Sequence, residues 1–324
     1  MVKIVIDTLG SDMGYMPIVS GVAQALKEGY DFFPVLVGPA EDLQQVLDQA
    51  EIDPSRYELM DARDYIRGDE PAACIFGGRE ESSMVIAYGR LKNDPDCDAL
   101  LSAGNTGALL VGSICRLGLL PGLKLPALVS ALPCNGENLL CLVDCGANVE
   151  CTAEDLTRFA RMGDIFARSY CGIDRPRVGL MSVGREAQKG TELTRQAFRQ
   201  ISELNLNFVG NVEGSDLVSD YADVIVTDGF SGNLLLKCAE SVGKAAIRLV
   251  ENAGLNPADT EKLRLALFNT FDFNARGAAT FLGTKKTVVK MHGSANADTA
   301  VASVAQILRL EKAKFSQAMA EGMQ

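Results

Sequence analysis

Histidine is almost missing from this chain: His292 is the only one in 324 residues. A Ser-His nucleophile pair or a multi-histidine metal site would have to run through that single side chain. Paired cysteine spacings are missing as well. The nine cysteines include no C-x-x-C, several sit inside apolar runs (Cys115, Cys141, Cys238), and the closest group, Cys141, Cys145 and Cys151, lacks a histidine partner. This argues against a structural zinc site and predicts buried thiols in a reducing cytoplasm. No window reaches the ~18 uninterrupted apolar residues of a membrane span. The opening Met1-Val2-Lys3-Ile4-Val5-Ile6-Asp7 reads as a first strand, too short and too polar for a signal peptide. There is no basic excess either. A net charge of −11 and a pI near 4.8 argue against nucleic acid as a partner. Neither the P-loop G-x-x-x-x-G-K-S/T nor the dinucleotide fingerprint G-x-G-x-x-G occurs, which leaves nucleotide binding without support.

What is present is an ordinary globular composition, 47% hydrophobic and 23% charged, in a length that suits two domains or one large α/β domain with two lobes. Strand-like runs fall at 2–7, 34–38, 98–102, 126–131, 139–144, 177–183, 207–210, 222–227 and 286–291. Helical periodicity fills 18–28, 40–50, 81–92, 106–117, 154–170, 190–203, 231–253 and 297–320. Strands alternating with helices predict βαβ units and a mostly parallel sheet with helices on both faces, within residues 1–324 as a single α/β domain of two lobes. Asp174-Arg175-Pro176-Arg177 marks the candidate lobe boundary, near 172–178.

Ligands in such sheets sit beyond the carboxyl ends of the strands. Two of those ends look alike. Ser102-Ala103-Gly104-Asn105-Thr106-Gly107 and Asp228-Gly229-Phe230-Ser231-Gly232-Asn233 each follow a strand-like run and open a helix, with Gly-Asn just before the helical pattern. Backbone N–H groups at a helix start favour anions, so the pair predicts one cleft lined for a phosphate or a tetrahedral oxyanion, served by both halves of the chain. Asn105, Thr106 and Asn233 are its candidate donors, with Ser102, Gly104, Gly107, Asp228 and Gly232 shaping it. Lys189, between Gly184 and Glu192, is a candidate cation for the same anion, or a solvated loop charge. Asp7 and Asp12 flank the first turn as ligand-orienting carboxylates or as Asx-turn residues. At Ser82-Ser83 one hydroxyl suffices as an N-cap, which leaves the other for ligand. His292 ends the last strand as an acid or base, a phosphate donor, or a structural residue.

Taken together these motifs resemble the acyl-carrier-protein:phosphate acyltransferases of bacterial phospholipid synthesis. The segments that carry the resemblance are Ser102–Leu110, Asp144-Cys-Gly-Ala-Asn148, Pro176–Gly179, Gly184 with Lys189-Gly-Thr-Glu-Leu193, Phe208–Gly214 and Asp228–Asn233. The run Leu9–Pro17 and the run Gly277–Gly283 depart from the family pattern. The resemblance implies a three-layer α/β/α sandwich with a large, mostly parallel mixed sheet, like isocitrate and isopropylmalate dehydrogenases, and usually a homodimer. It implies transfer of a fatty acyl group from acyl carrier protein to inorganic phosphate, with Lys189, Asn233, Asn105 and His292 at the chemistry. Ser82, Ser83, Ser102, Gly104, Thr106, Gly107, Asn148, Asp228 and Gly232 would bind phosphate or substrate. No metal or cofactor is expected, since phosphate is already an ionised nucleophile and a thiolate leaves readily. An acidic carrier needs a basic face, and Lys237, Lys244 and Arg248 share one at i, i+7 and i+11. Because acyl phosphate is consumed in the bilayer, the family also implies peripheral membrane attachment of a cytoplasmic protein. The apolar stretch Leu263–Phe268 with Phe271 and Phe273 is the candidate tip, or else a dimer interface. Three other readings stay open: a phosphate acetyl- or butyryltransferase acting on acyl-CoA, a dehydrogenase of related fold, and a non-catalytic binding module.

Overall fold

The computed structural model describes residues 1–134, 138–271 and 278–324. From the N-terminus, β1 (Val2–Asp7), α1 (Met16–Lys27), β2 (Phe32–Gly38), α2 (Ala40–Gln49), β3 (Glu58–Asp61), α3 (Ser83–Asn93), β4 (Ala99–Ser102) and α4 (Thr106–Gly112) follow in turn. Next come β5 (Ala127–Cys134), β6 (Asn138–Val143), α5 (Ala153–Phe166), β7 (Arg177–Met181), α6 (Glu192–Ser202), β8 (Asn207–Val212), β9 (Val224–Val226), α7 (Gly229–Glu251) and α8 (Pro257–Phe271). The chain ends with β10 (Ala279–Leu282), β11 (Thr287–Lys290), α9 (Ala297–Lys312) and α10 (Phe315–Gly322). These elements form two compact units, Met1–Pro126 with Gly277–Gly322, and Ala127–Arg276. Residues 172–178 lie inside the second unit.

The chain adopts the expected mixed α/β class. In the first unit the strand order is β3-β2-β1-β4-β11-β10. All neighbours are parallel except β10, which runs antiparallel to β11. In the second the order is β5-β6-β9-β7-β8. Only β5, antiparallel to β6, breaks the parallel run. Ile4, Val5 and Ile6 of β1 are all fully buried, which is why that strand reads as a continuous apolar run rather than an alternation. Helix α1 buries Ile18, Val19, Val22, Ala23 and Leu26 at helical spacing, and it packs on α9.

Several expectations need correction. The helix expected over 106–117 is α4 followed by a wider π turn over Ser113–Leu117. Cys115 and Cys238 are exposed rather than buried, while Cys141 and Cys145 are buried. Cys238 lies on α7, whose apolar residues Leu234, Val242 and Leu249 also face solvent, so an apolar run there is not a core run. Among the described residues no helix is long and apolar enough to cross a membrane.

Candidate active site

In the second unit, β6, β9, β7 and β8 are parallel, so their carboxyl ends share one edge. That edge carries Asp144–Asn148, Asp228–Asn233, the loop from Ser182 to Lys189, and Asn211. Asp228 is the N-cap of α7. Its carboxylate accepts from the Ser231 N–H at 2.8 Å and the Ser231 hydroxyl at 2.9 Å. Gly232 must be glycine, because a Cβ there would stand 1.9 Å from the carbonyl oxygen of Asp144. Asn233, one residue on, is exposed, and its amide makes no hydrogen bond among the described residues. A 23-residue helix thus presents a free amide on its fifth residue, near the positive end of the helix dipole; because α7 begins at Gly229, the Gly232-Asn233 pair lies inside the helix and not before it as expected from the sequence.

Asn148 serves the same turn from inside. Its backbone and side-chain N–H groups donate to Asp144 at 2.7 and 2.8 Å, and its carbonyl accepts from the Gly229 N–H at 2.7 Å. Lys189 is exposed and has no ion pair among the described residues. Its loop is held by Asn211, whose amide donates to the Glu186 carbonyl at 2.8 Å. The Asn211 Oδ1 and the Ser182 hydroxyl are buried without a partner among the described residues. The sequence marks both only as members of the polar strand ends Ser182–Lys189 and Asn211–Glu213. Burial of a polar residue at a strand end, beside a loop that needs anchoring, is a three-dimensional fact that the sequence does not carry.

The first unit is built differently despite its matching motif. Asn105 is the N-cap of α4, and both ends of its side chain are occupied. Oδ1 accepts from the Ala108 N–H at 3.0 Å, while Nδ2 donates to the carbonyls of Arg67, Gly68 and Glu70 at 2.9 to 3.3 Å. It clamps a loop where Asn233 is open. Thr106 is the half-buried hydroxyl beside it, with no hydrogen bond among the described residues, and Gly107 is equally half-buried. Asn105→Ala is therefore expected to cost about 1–2 kcal/mol of stability as a lost cap. A urea midpoint that drops in parallel with activity would show this; an unchanged midpoint would mean that the cap and clamp contribute nothing.

Ser102, Ser82 and Ser83 are fully buried. Ser102 donates to Asp7 at 2.7 Å and accepts from the Gly104 N–H at 3.0 Å, so Asp7 props the turn from the neighbouring strand. Ser82 caps α3 by position only, since its side chain accepts from no backbone N–H of that helix. Burial pushes the Asp7 carboxyl up to about 6, against the hydroxyls of Ser83 and Ser102, the Leu9 N–H and the Lys290 ammonium. Lys290 itself is a buried cation, donating to the carbonyls of Ala103 and Met291. Its place inside the apolar run Thr287–Met291 was the available signal. His292 is exposed. Its Nδ1 lies 2.9 Å from the Ser294 hydroxyl and receives the Ser294 N–H at 3.3 Å, which favours a proton on Nε2. Asp12 pairs with the same loop, its N–H donating to the Gly293 carbonyl at 2.8 Å.

Of the basic face on α7, Lys237 is paired with Glu240 at 2.8 Å, while Lys244 and Arg248 are exposed without an ion pair among the described residues. Leu263 and Leu265 are exposed on α8, whereas Phe273 and Gly277 lie outside the described residues. No cluster of three or more His, Cys, Asp or Glu is placed to hold a metal ion among the described residues.

The profile of the family described as "Fatty acid synthesis protein" matches residues 2–318. A phosphate acyltransferase of Clostridioides difficile (strain 630) is 34% identical over 323 residues, covering 96% of this chain and 93% of that protein. The chain belongs to the phosphate acyltransferase family. A second member, from Thermoanaerobacter pseudethanolicus, is 36% identical over 303 residues, covering 91% of this chain and 89% of its own. The family's fold extends to more distant structures. A phosphotransacetylase from Streptococcus pyogenes matches with a TM-score of 0.64 at 18% identity, over 98% of this chain and 94% of its own. A branched-chain phosphotransacylase from Enterococcus faecalis V583 matches with a TM-score of 0.63 at 16% identity, over 96% and 99%. At such identities these two establish the fold and not the chemistry.

Proposed function

We propose that this enzyme moves a fatty acyl group from the thioester of acyl carrier protein to inorganic phosphate, giving acyl phosphate for phospholipid synthesis. The observation that carries the reading is the free amide of Asn233 near the start of α7, in a chain of the phosphate acyltransferase family. In the reaction a phosphate oxygen attacks the thioester carbonyl carbon and forms a C–O bond. The carbonyl electrons collect on oxygen, where the Asn233 amide donates to the oxyanion. Collapse breaks the C–S bond, and the leaving thiolate takes up, through water, the proton that the hydrogen phosphate gives up. Lys189, on the same strand-end edge as Asn233, offsets charge on the phosphate. Phosphate arrives ionised and thiolate is a good leaving group, so no strong base is needed.

The cytoplasmic, homodimeric and peripheral-membrane readings belong to this proposal. The dimer and membrane readings draw support from the exposed apolar residues Leu234, Val242 and Leu249 on α7 and Leu263 and Leu265 on α8. Carrier docking rests on Lys244 and Arg248, since Lys237 is already paired. Thiol release from long-chain acyl carrier protein and from short-chain acyl-CoA, each with phosphate, tests the donor. Faster turnover of the carrier thioester is expected, and changing Lys244 and Arg248 to Glu should raise KM several-fold for that donor alone. Preference for a short acyl-CoA would instead make this a phosphotransacylase, and equal KM effects on both donors would remove the docking face.

A further inference from the structure

We propose that Asp144 is the positioning residue for the Asn233 amide, acting through the turn Asp144–Asn148. The inference rests on the reading that Asn233 donates to the reacting oxyanion.

Asp144 is fully buried at the carboxyl end of β6. Its Oδ1 accepts from the N–H groups of Leu128, Gly146 and Ala147 at 3.0 to 3.1 Å. Its Oδ2 accepts from the backbone and side-chain N–H groups of Asn148 at 2.7 and 2.8 Å. Five donors converge on one carboxylate, and burial pushes its pKa up against them. A buried carboxyl is costly to keep unless it organises something. What it organises is a tight turn whose outer surface is the bed of α7. The Asn148 carbonyl receives the Gly229 N–H at 2.7 Å, and the Asp144 carbonyl lies where a side chain on Gly232 would be. At the top of the turn, a Cβ built on Gly146 would stand 3.5 Å from both Cβ and Oδ1 of Asn233. The turn therefore forms the floor under the first turn of α7 and a wall beside the Asn233 side chain.

The two Gly-Asn pairs differ in what holds the asparagine. Asn105 is fixed by its own hydrogen bonds to the Arg67–Glu70 loop and so cannot reach out. Asn233 has no such bonds among the described residues, and its position has to be set from below. Asp144 supplies that restraint without using the amide itself, which leaves the donor free for an oxyanion.

The test is a double-mutant cycle on kcat with the acyl thioester and phosphate. Asp144→Asn keeps the shape but places an amide against the two donors of Asn148. It is expected to lower kcat about tenfold, less than the ~hundredfold that 1 Å of misplacement can cost, with both KM values within about twofold. In an Asn233→Ala background the same change should lower kcat no further, because its effect passes through the missing amide. A loss that multiplies with that of Asn233→Ala, or no loss at all, overturns the assignment. Should Asp144→Asn not fold, Asn148→Ala takes the side-chain donor from Oδ2 and leaves the four backbone N–H donors in place, and about a threefold loss confined to the Asn233-containing background is the supporting result. A loss in both backgrounds, or in neither, again overturns it. If Asn233→Ala by itself leaves kcat unchanged, the oxyanion reading fails first, and that outcome is separate from a failure of the Asp144 inference.

Discussion

Asn233→Ala is expected to lower kcat by about a hundredfold or more and to leave the melting temperature where it is. The size follows from what one oxyanion donor contributes, roughly 10²–10³ in turnover or about 3–4 kcal/mol of barrier. The absence of a stability effect follows from geometry. The side chain is exposed and bonded to nothing among the described residues, so its truncation leaves no buried group unsatisfied. Helix α7 begins four residues earlier, at Gly229 after its Asp228 cap, which the substitution does not touch. Alanine is also the better helix former, so the first turn should hold or tighten. Initial rates of thiol release and a thermal melt on one preparation decide the matter. Full activity would show that the amide is not the donor. A drop in melting temperature would show that the side chain is structural after all, as Asn105 is.

The contrast between those two asparagines marks how far the sequence could be read. Both strand-to-helix junctions were legible, because glycine, a small polar residue and a sudden change of period leave a local trace, but only Gly104-Asn105 directly precedes its helix, whereas Gly232-Asn233 is already within α7. Whether the asparagine is free depends on residues far away in sequence. Arg67, Gly68 and Glu70 occupy Asn105, and no pattern near Asn105 announces them. Asp144 was legible as a polar strand end, but its five donors were not, and Lys290 shows its purpose only when its partners are in place. Among the elements, the long parallel strands and amphipathic helices were legible, whereas β3, β10 and α8 were not. The Glu-Leu-Met-Asp of β3 sits at the sheet edge, paired on one side with β2. In α8, Leu263 and Leu265 are both exposed, so there is no single buried stripe for helical period to reveal.

A pH series on Asp7→Asn should show the second large effect. In the folded chain burial lifts the Asp7 carboxyl from 3.8 to about 6. At about 1.4 kcal/mol per pH step, that difference corresponds to roughly 3 kcal/mol. Below pH 4 the group is protonated in both folded and unfolded chains, and it favours neither. Between about 4 and 6 the unfolded chain releases the proton while the folded chain holds it. The folded state then binds more protons, so this group's contribution to stability falls as pH rises, and above about 6 the full cost is in place. Asparagine does not titrate and can still meet Ser102, whose hydroxyl accepts as readily as it donates. Urea midpoints of the parent and of Asp7→Asn, measured from pH 4 to 7, should diverge in favour of the variant by about 3 kcal/mol across that window. Using the difference cancels other shifted carboxyls, such as Asp164 and Glu311, which are raised in both proteins. A difference that stays flat with pH would mean that Lys290 and the hydroxyls of Ser83 and Ser102 hold the Asp7 carboxylate ionised as readily as water does. The turn that leads to Gly104 would then rest on an ordinary ion, and activity between pH 5 and 7 should follow the phosphate rather than this buried acid.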